Sequence, residues 1–123
     1  MLNDNLYTIE SFTNQDGKVE AGIAVDAGHK IFEGHFPGQP VLPGVCMMQI
    51  FKELVEKAVS QKLFLYQADN CKFLSMVDPR VSPKLKFSID YTTTEGYIKA
   101  SGVLKNEEAT FLKINNCSFK VES

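Results

Sequence analysis

His35 lies in the run Gly34-His35-Phe36-Pro37-Gly38-Gln39-Pro40-Val41-Leu42-Pro43-Gly44-Val45, a proline-stiffened loop that leads into an apolar pattern with helical spacing. Imidazole is the side chain best placed to take up a proton near neutral pH. Pro43 and Gly44 suit the start of a helix, and the first N–H groups of a helix have no acceptor within it. Such groups can hold a carbonyl oxygen as negative charge develops on it. A base beside an oxyanion site is what proton abstraction next to a thioester carbonyl requires. A solvated loop histidine without chemistry fits the same composition, and the residues alone leave both readings open.

Other reactive side chains form less complete sets. His29 shares the loop with His35, but neither Asp26 nor Cys46 supplies a third zinc ligand at interpretable spacing, so no metal is expected. Cys46 falls near the helix start, where a thiolate is favoured, yet it sits inside an apolar run and is expected to pack. Gly34 and Gly38 lack the spacing and the following lysine of a phosphate loop. Tyr66 and Tyr97 fit sheet packing as well as ligand contact. Lys62, Lys72, Lys84 and Lys86, with Arg80, are candidates for docking an acidic partner; a solvated charged face accounts for them equally well.

The elements that must position these groups can be read from patterning. Tyr7–Phe12 and Val19–Val25 alternate around the turn signal Asn14-Gln15-Asp16-Gly17. Four glycines and three prolines between Asp26 and Gly44 exclude a regular helix or central strand there, leaving a long, defined loop. A helix is expected from about 43 to 60, with Val45, Met48, Phe51, Val55 and Ala58 at helical spacing. Cys46, Met47, Ile50, Leu54 and Val59 widen its apolar face, leaving Gln49, Lys52, Glu53, Glu56, Lys57 and Ser60 as a narrow polar stripe. Such a helix needs to be wrapped. Leu63–Ala68 and Cys71–Met76 read as short strands. Lys84–Thr93, Tyr97–Leu104 and Ala109–Val121 read as longer ones. One buried helix against five or six strands is an α+β domain, and 123 residues supply one core, expected to be a single domain over residues 1–123.

Composition narrows the partners. A formal charge of −2, with Arg80 the only arginine, argues against nucleic-acid binding. No apolar run approaches the length of a membrane span, so no membrane insertion is expected. The start lacks the basic-then-apolar pattern of a signal peptide. Three cysteines at unrelated spacings read as free thiols. A cytoplasmic location is expected.

His35-Phe36-Pro37-Gly38, followed by Pro40 and Pro43-Gly44-Val45, resembles the signature of the beta-hydroxyacyl acyl-carrier-protein dehydratases of fatty acid synthesis. Lys72-Phe73-Leu74-Ser75-Met76-Val77-Asp78-Pro79 resembles that family's strand and turn after its central helix, and the likeness runs from about residue 6 to 120. The family's helical segment before its first strand has no expected counterpart here. The resemblance implies the hotdog fold, a curved antiparallel sheet wrapped around one long central helix. It also implies edge-to-edge homodimers that can assemble into a hexamer as a trimer of dimers. Substrates would be (3R)-hydroxyacyl chains on the phosphopantetheine of an acyl carrier protein, with no separate cofactor and the trans-2-enoyl thioester as product. His35 would be the base and the amides around Gly44 would polarise the thioester carbonyl. Phe36, Val45 and Met48 would wall the acyl channel.

The family places a carboxylate from the partner subunit's helix fourteen residues after the histidine; here that position is Gln49. Glutamine hydrogen-bonds a hydroxyl but offers no proton at a useful pKa. Glu53, one helical turn on, is the alternative acid, and the family often carries glutamine there, so the pair looks exchanged. Three functions follow from the resemblance: a dehydratase with an unusual acid, an acyl-thioester-binding subunit or half of a heterodimeric dehydratase, and a hotdog thioesterase.

Overall fold

The computed structural model describes residues 6–32 and 41–122. Strands β1 (Tyr7–Gln15) and β2 (Lys18–Val25) are followed by a 3-10 turn over Lys30–Phe32 and the helix α1 (Gly44–Val59). Four more strands follow: β3 (Leu63–Phe73), β4 (Lys84–Thr94), β5 (Tyr97–Lys105) and β6 (Thr110–Val121). All six form one antiparallel sheet in the order β1-β2-β4-β5-β6-β3. The sheet curves around α1, which is the hotdog arrangement expected from the sequence.

Local chemistry explains the element boundaries. Asp16 (φ 53°) and Gly17 (φ 78°) close the β1–β2 hairpin with positive φ at both central positions, as the twist of a two-residue turn requires. A side chain at position 17 would also place its Cβ 2.7 Å from the Tyr91 carbonyl oxygen. α1 begins after Pro43 (φ −63°, ψ 147°) and ends at Ser60, whose left-handed backbone returns its N–H to the Glu56 carbonyl. The helix bounds therefore match the sequence reading.

Two expectations are corrected. Leu63–Ala68 and Cys71–Met76 are not separate strands: β3 runs unbroken to Phe73, because Ala68 pairs with Cys117 and Asn70 with Asn115 on β6. The ladder overrides the turn preference of Asp69-Asn70, and the register shift in this pairing falls earlier, between Leu65 and Gln67. The polar stripe on α1 is not wholly at the surface either, since Glu53 and Glu56 are buried.

Phe51 anchors α1 to the sheet. Its ring is fully buried, with centroids 5.9 Å from Phe87 and 5.8 Å from Phe119. Gly102 makes room for it: a Cβ there would lie 2.7 Å from Phe51 Cε1. Burial of such a ring contributes about 3 kcal/mol. Ile50, Leu54 and Val55 extend the same contact, and the Glu56 carboxylate accepts the buried Leu63 N–H at 2.8 Å, tying the end of α1 to β3.

Candidate functional site

The start of α1 is uncapped by side chains, and the Pro43 carbonyl accepts the N–H groups of Cys46 (3.0 Å) and Met47 (3.1 Å). Among the described residues nothing accepts the Gly44 or Val45 N–H, as expected for the first donors of a helix. The Leu42 N–H donates to the Val77 carbonyl at 2.9 Å, which holds the approach to the helix against the segment after β3. Gly44 lies under the Phe73 ring: a Cβ there would sit 2.8 Å from it, so the ring would have to shift to admit a side chain.

A pocket of about 490 Å³ opens at this helix start, lined by Gly44, Val45, Met48, Gln49, Lys52, Leu65, Phe73 and Phe119. Its walls are mostly apolar, with few polar groups, as in sites that hold an apolar chain and fix one end of it. Three of the apolar lining side chains stand in solvent: Val45 is 78% exposed, Phe73 54% and Leu65 near half. A broader open groove of about 700 Å³ crosses the outer face of β2 and β4, lined by Glu10, Lys84, Lys86, Lys105, Glu107 and their neighbours. Its charges are of both signs and no helix terminus faces it, so the smaller apolar pocket is the candidate site.

Gln49 and Lys52 are the polar side chains among the pocket's lining. Gln49 Nε2 donates to Glu53 Oε2 at 2.8 Å, one helical turn on. The other carboxylate oxygen, Glu53 Oε1, accepts the Tyr7 hydroxyl at 2.9 Å from β1. Tyr7 is 1% exposed and Glu53 5%. Glu53 is thus drawn into the interior, away from the pocket wall, and Gln49 stands between it and the pocket.

The remaining candidates fall as follows. His35 and Phe36 lie outside the described residues. Val45, Met48, Gln49 and Gly44 come together at the pocket; Glu53 touches it only through Gln49. His29 serves the 3-10 turn, its Nδ1 accepting the Ile31 N–H at 3.0 Å. Among the described residues no group of three His, Cys, Asp or Glu side chains is placed to hold a metal.

The thiols are not activated. Burial raises the pKa of Cys46 and of Cys71, and Cys117 is pushed up to about 11 by burial and then by Cys71. Cys71 packs with its sulfur 3.6 Å from Met48 Sδ. Arg80 is engaged by Asp78 at 3.1 Å, and these hydrogen bonds lower the Asp78 pKa. Lys72, Lys84 and Lys86 share the outer face, where Lys113 opposes Lys72 and Lys105 opposes Lys86. Lys84 pairs with Glu10 at 3.7 Å.

Sequence reasoning missed Tyr7, Lys52, Leu65, Phe73 and Phe119. For Phe73, Gly44 was a usable signal, since a glycine inside a helix start implies close approach of something bulky.

Comparison with known proteins agrees with this fold. The sequence profile of the ApeI-like family, described as ApeI dehydratase, matches residues 11–115. The 3-hydroxyacyl-(acyl-carrier-protein) dehydratase FabZ of Thermoanaerobacter sp. (strain X514) is 34% identical over 113 residues, covering 85% of this chain and 75% of the relative. FabZ of Bacillus velezensis is 34% identical over 100 residues, covering 74% and 70%. Among solved structures, the dehydratase heterocomplex ApeI:P from Xenorhabdus doucetiae superposes with a TM-score of 0.70 at 17% identity, covering 94% of this chain and 96% of that one. A hypothetical thioesterase with coenzyme A from Streptococcus pneumoniae TIGR4 gives 0.67 at 14% identity, covering 95% and 86%. At these identities the structural likenesses carry the fold.

Proposed function

This chain belongs to the ApeI-like dehydratase family, and from that premise we propose that it is an acyl-thioester-binding subunit, one half of a heterodimeric hotdog dehydratase. The observation that carries the reading is the Gln49–Glu53–Tyr7 chain: the residue facing the pocket is a neutral amide, and the nearby carboxylate is buried and bound behind it. The substrates are (3R)-hydroxyacyl thioesters on the phosphopantetheine of an acyl carrier protein. His35 removes the proton alpha to the thioester, and the Gly44 and Val45 amides stabilise the oxygen as charge develops. The general acid comes from the partner's helix, because Gln49 has none to give.

Two observations support a second subunit. The apolar side chains around the pocket mouth form a rim that a partner would cover, and the ApeI:P heterocomplex shares the fold. Thioester hydrolysis is less well supported, because it needs a carboxylate on the attacking water and Glu53 is committed to Tyr7 and Gln49.

The test is dehydration of a carrier-bound 3-hydroxyacyl thioester by the purified chain and by its Gln49→Glu/Glu53→Gln double variant. The double variant keeps the hydrogen bond between the two positions and moves the carboxyl group to the pocket. A gain of about 100-fold or more over the parent is expected, the usual contribution of general acid catalysis. A parent that already turns over at the double variant's rate marks a self-sufficient dehydratase instead. Turnover lost in His35→Ala assigns the base.

A further inference from the structure

We infer that Glu53 is a positioning residue that fixes the polarity of Gln49 and thereby selects ligands bearing a hydroxyl over those bearing a ketone at the same carbon. The inference rests on the proposed binding of acyl thioesters in the α1 pocket and names the feature of the acyl group that this chain's own helix reads.

A primary amide has two faces of opposite character, an acceptor oxygen and a donor nitrogen, and rotates between them at little cost when nothing holds it. Gln49 is held. Gln49 Nε2 faces Glu53 Oε2 at 2.8 Å, a donor set against the acceptors that an ionised carboxylate presents. Glu53 is in turn fixed by the Tyr7 hydroxyl at 2.9 Å, and both residues are almost fully buried. Gln49 Oε1 is left without a partner among the described residues, on a side chain that lines the pocket. An acyl chain entering there meets this acceptor on the Gln49 side of the pocket, which Lys52 also lines. A 3-hydroxyl can donate to it, whereas a 3-oxo group brings a second acceptor against the first and leaves both unsatisfied, which is the more costly outcome in an apolar site.

Replacing Glu53 by glutamine reverses the order. The Tyr7 hydroxyl would take the new side chain's carbonyl, leaving its NH2 to donate to Gln49 Oε1. Gln49 would then turn over and present Nε2 to the pocket. Loss of packing lowers affinity for every ligand, but a change in which ligand is preferred follows only from amide orientation.

The experiment is calorimetric titration of the parent, Glu53→Gln and Gln49→Leu with two non-hydrolysable pantetheine thioether analogues, one 3-hydroxyacyl and one 3-oxoacyl, of equal chain length. The parent is expected to bind the 3-hydroxy analogue about tenfold more tightly, the value of one hydrogen bond gained against one left unmade. Glu53→Gln is expected to abolish or invert that ratio, and Gln49→Leu, which tests the same point if Glu53→Gln does not fold, to bring it to unity. Equal binding of both analogues by the parent, or a ratio unchanged in either variant, overturns the inference alone. Failure of the parent to bind either analogue overturns the acyl-thioester reading together with it.

Discussion

The two halves of α1 do different work although they belong to one helix. From Phe51 onward the helix is largely sealed, Lys52 and Lys57 apart: Phe51 sits between Phe87 and Phe119, Glu53 is held by Tyr7, and Glu56 accepts the Leu63 N–H. Its first two turns are open, with Val45 in solvent, Gly44 under the Phe73 ring and Gln49 on a pocket wall. The carboxylates lie in the sealed half and satisfy buried donors there; the pocket meets backbone amides, one neutral amide and the Lys52 side chain. A carboxylate moved one helical turn thus changes from a group facing a ligand to a group facing the core. Stability and ligand chemistry should therefore separate along the helix.

The largest expected effect is in the sealed half. Phe51→Ala should destabilise the fold by about 3–5 kcal/mol, the usual cost of deleting a buried ring, measured by urea unfolding. Cys117 gives the next effect. Its thiol ionises near 9.0 unfolded and near 11 folded, so the folded form holds the proton more tightly. That contribution is complete below pH 9.0 and is lost as pH rises toward 11. It is on the order of 2 kcal/mol, and a Cys117→Val variant should lack this part of the alkaline decline.

Glu56→Ala removes the acceptor of a buried N–H and should cost about 1–2 kcal/mol; a loss below about 0.3 kcal/mol would break the contrast between the halves. In the open half the order reverses. Gly44→Ala meets only the half-exposed Phe73 ring, which can move, so stability should change by less than about 0.5 kcal/mol. The displaced ring narrows the pocket, and thioester turnover should fall by about 100-fold, as displacements near 1 Å can cost. Equal losses of stability and turnover would erase the distinction.

Much of this was legible in the sequence. Pro43, Gly44 and the spacing from Val45 to Ala58 placed the helix within one residue at each end, and the alternation of Leu85, Phe87 and Ile89 gave β4 its buried face. The fold followed from those patterns and from the loop motif. The interior position of Glu53 was not legible: periodicity counts every carboxylate as polar, and its partner Tyr7 is 46 residues away. Continuity of β3 through Asp69-Asn70 was hidden for a similar reason, since the pairing that imposes it comes from β6. His35 lies outside the described residues, and its role rests on the loop motif and the family.

The measurement that tests the central claim most directly is complementation between two altered subunits. The parent carries His35 and lacks an acid at position 49; the variant His35→Ala/Gln49→Glu/Glu53→Gln carries the acid and lacks the base. Each is assayed alone and after co-refolding, with a carrier-bound 3-hydroxyacyl thioester. If base and acid come from different subunits, both should be slow alone and the mixture should gain about 100-fold. Full activity of the parent alone, with no gain on mixing, would contradict the account.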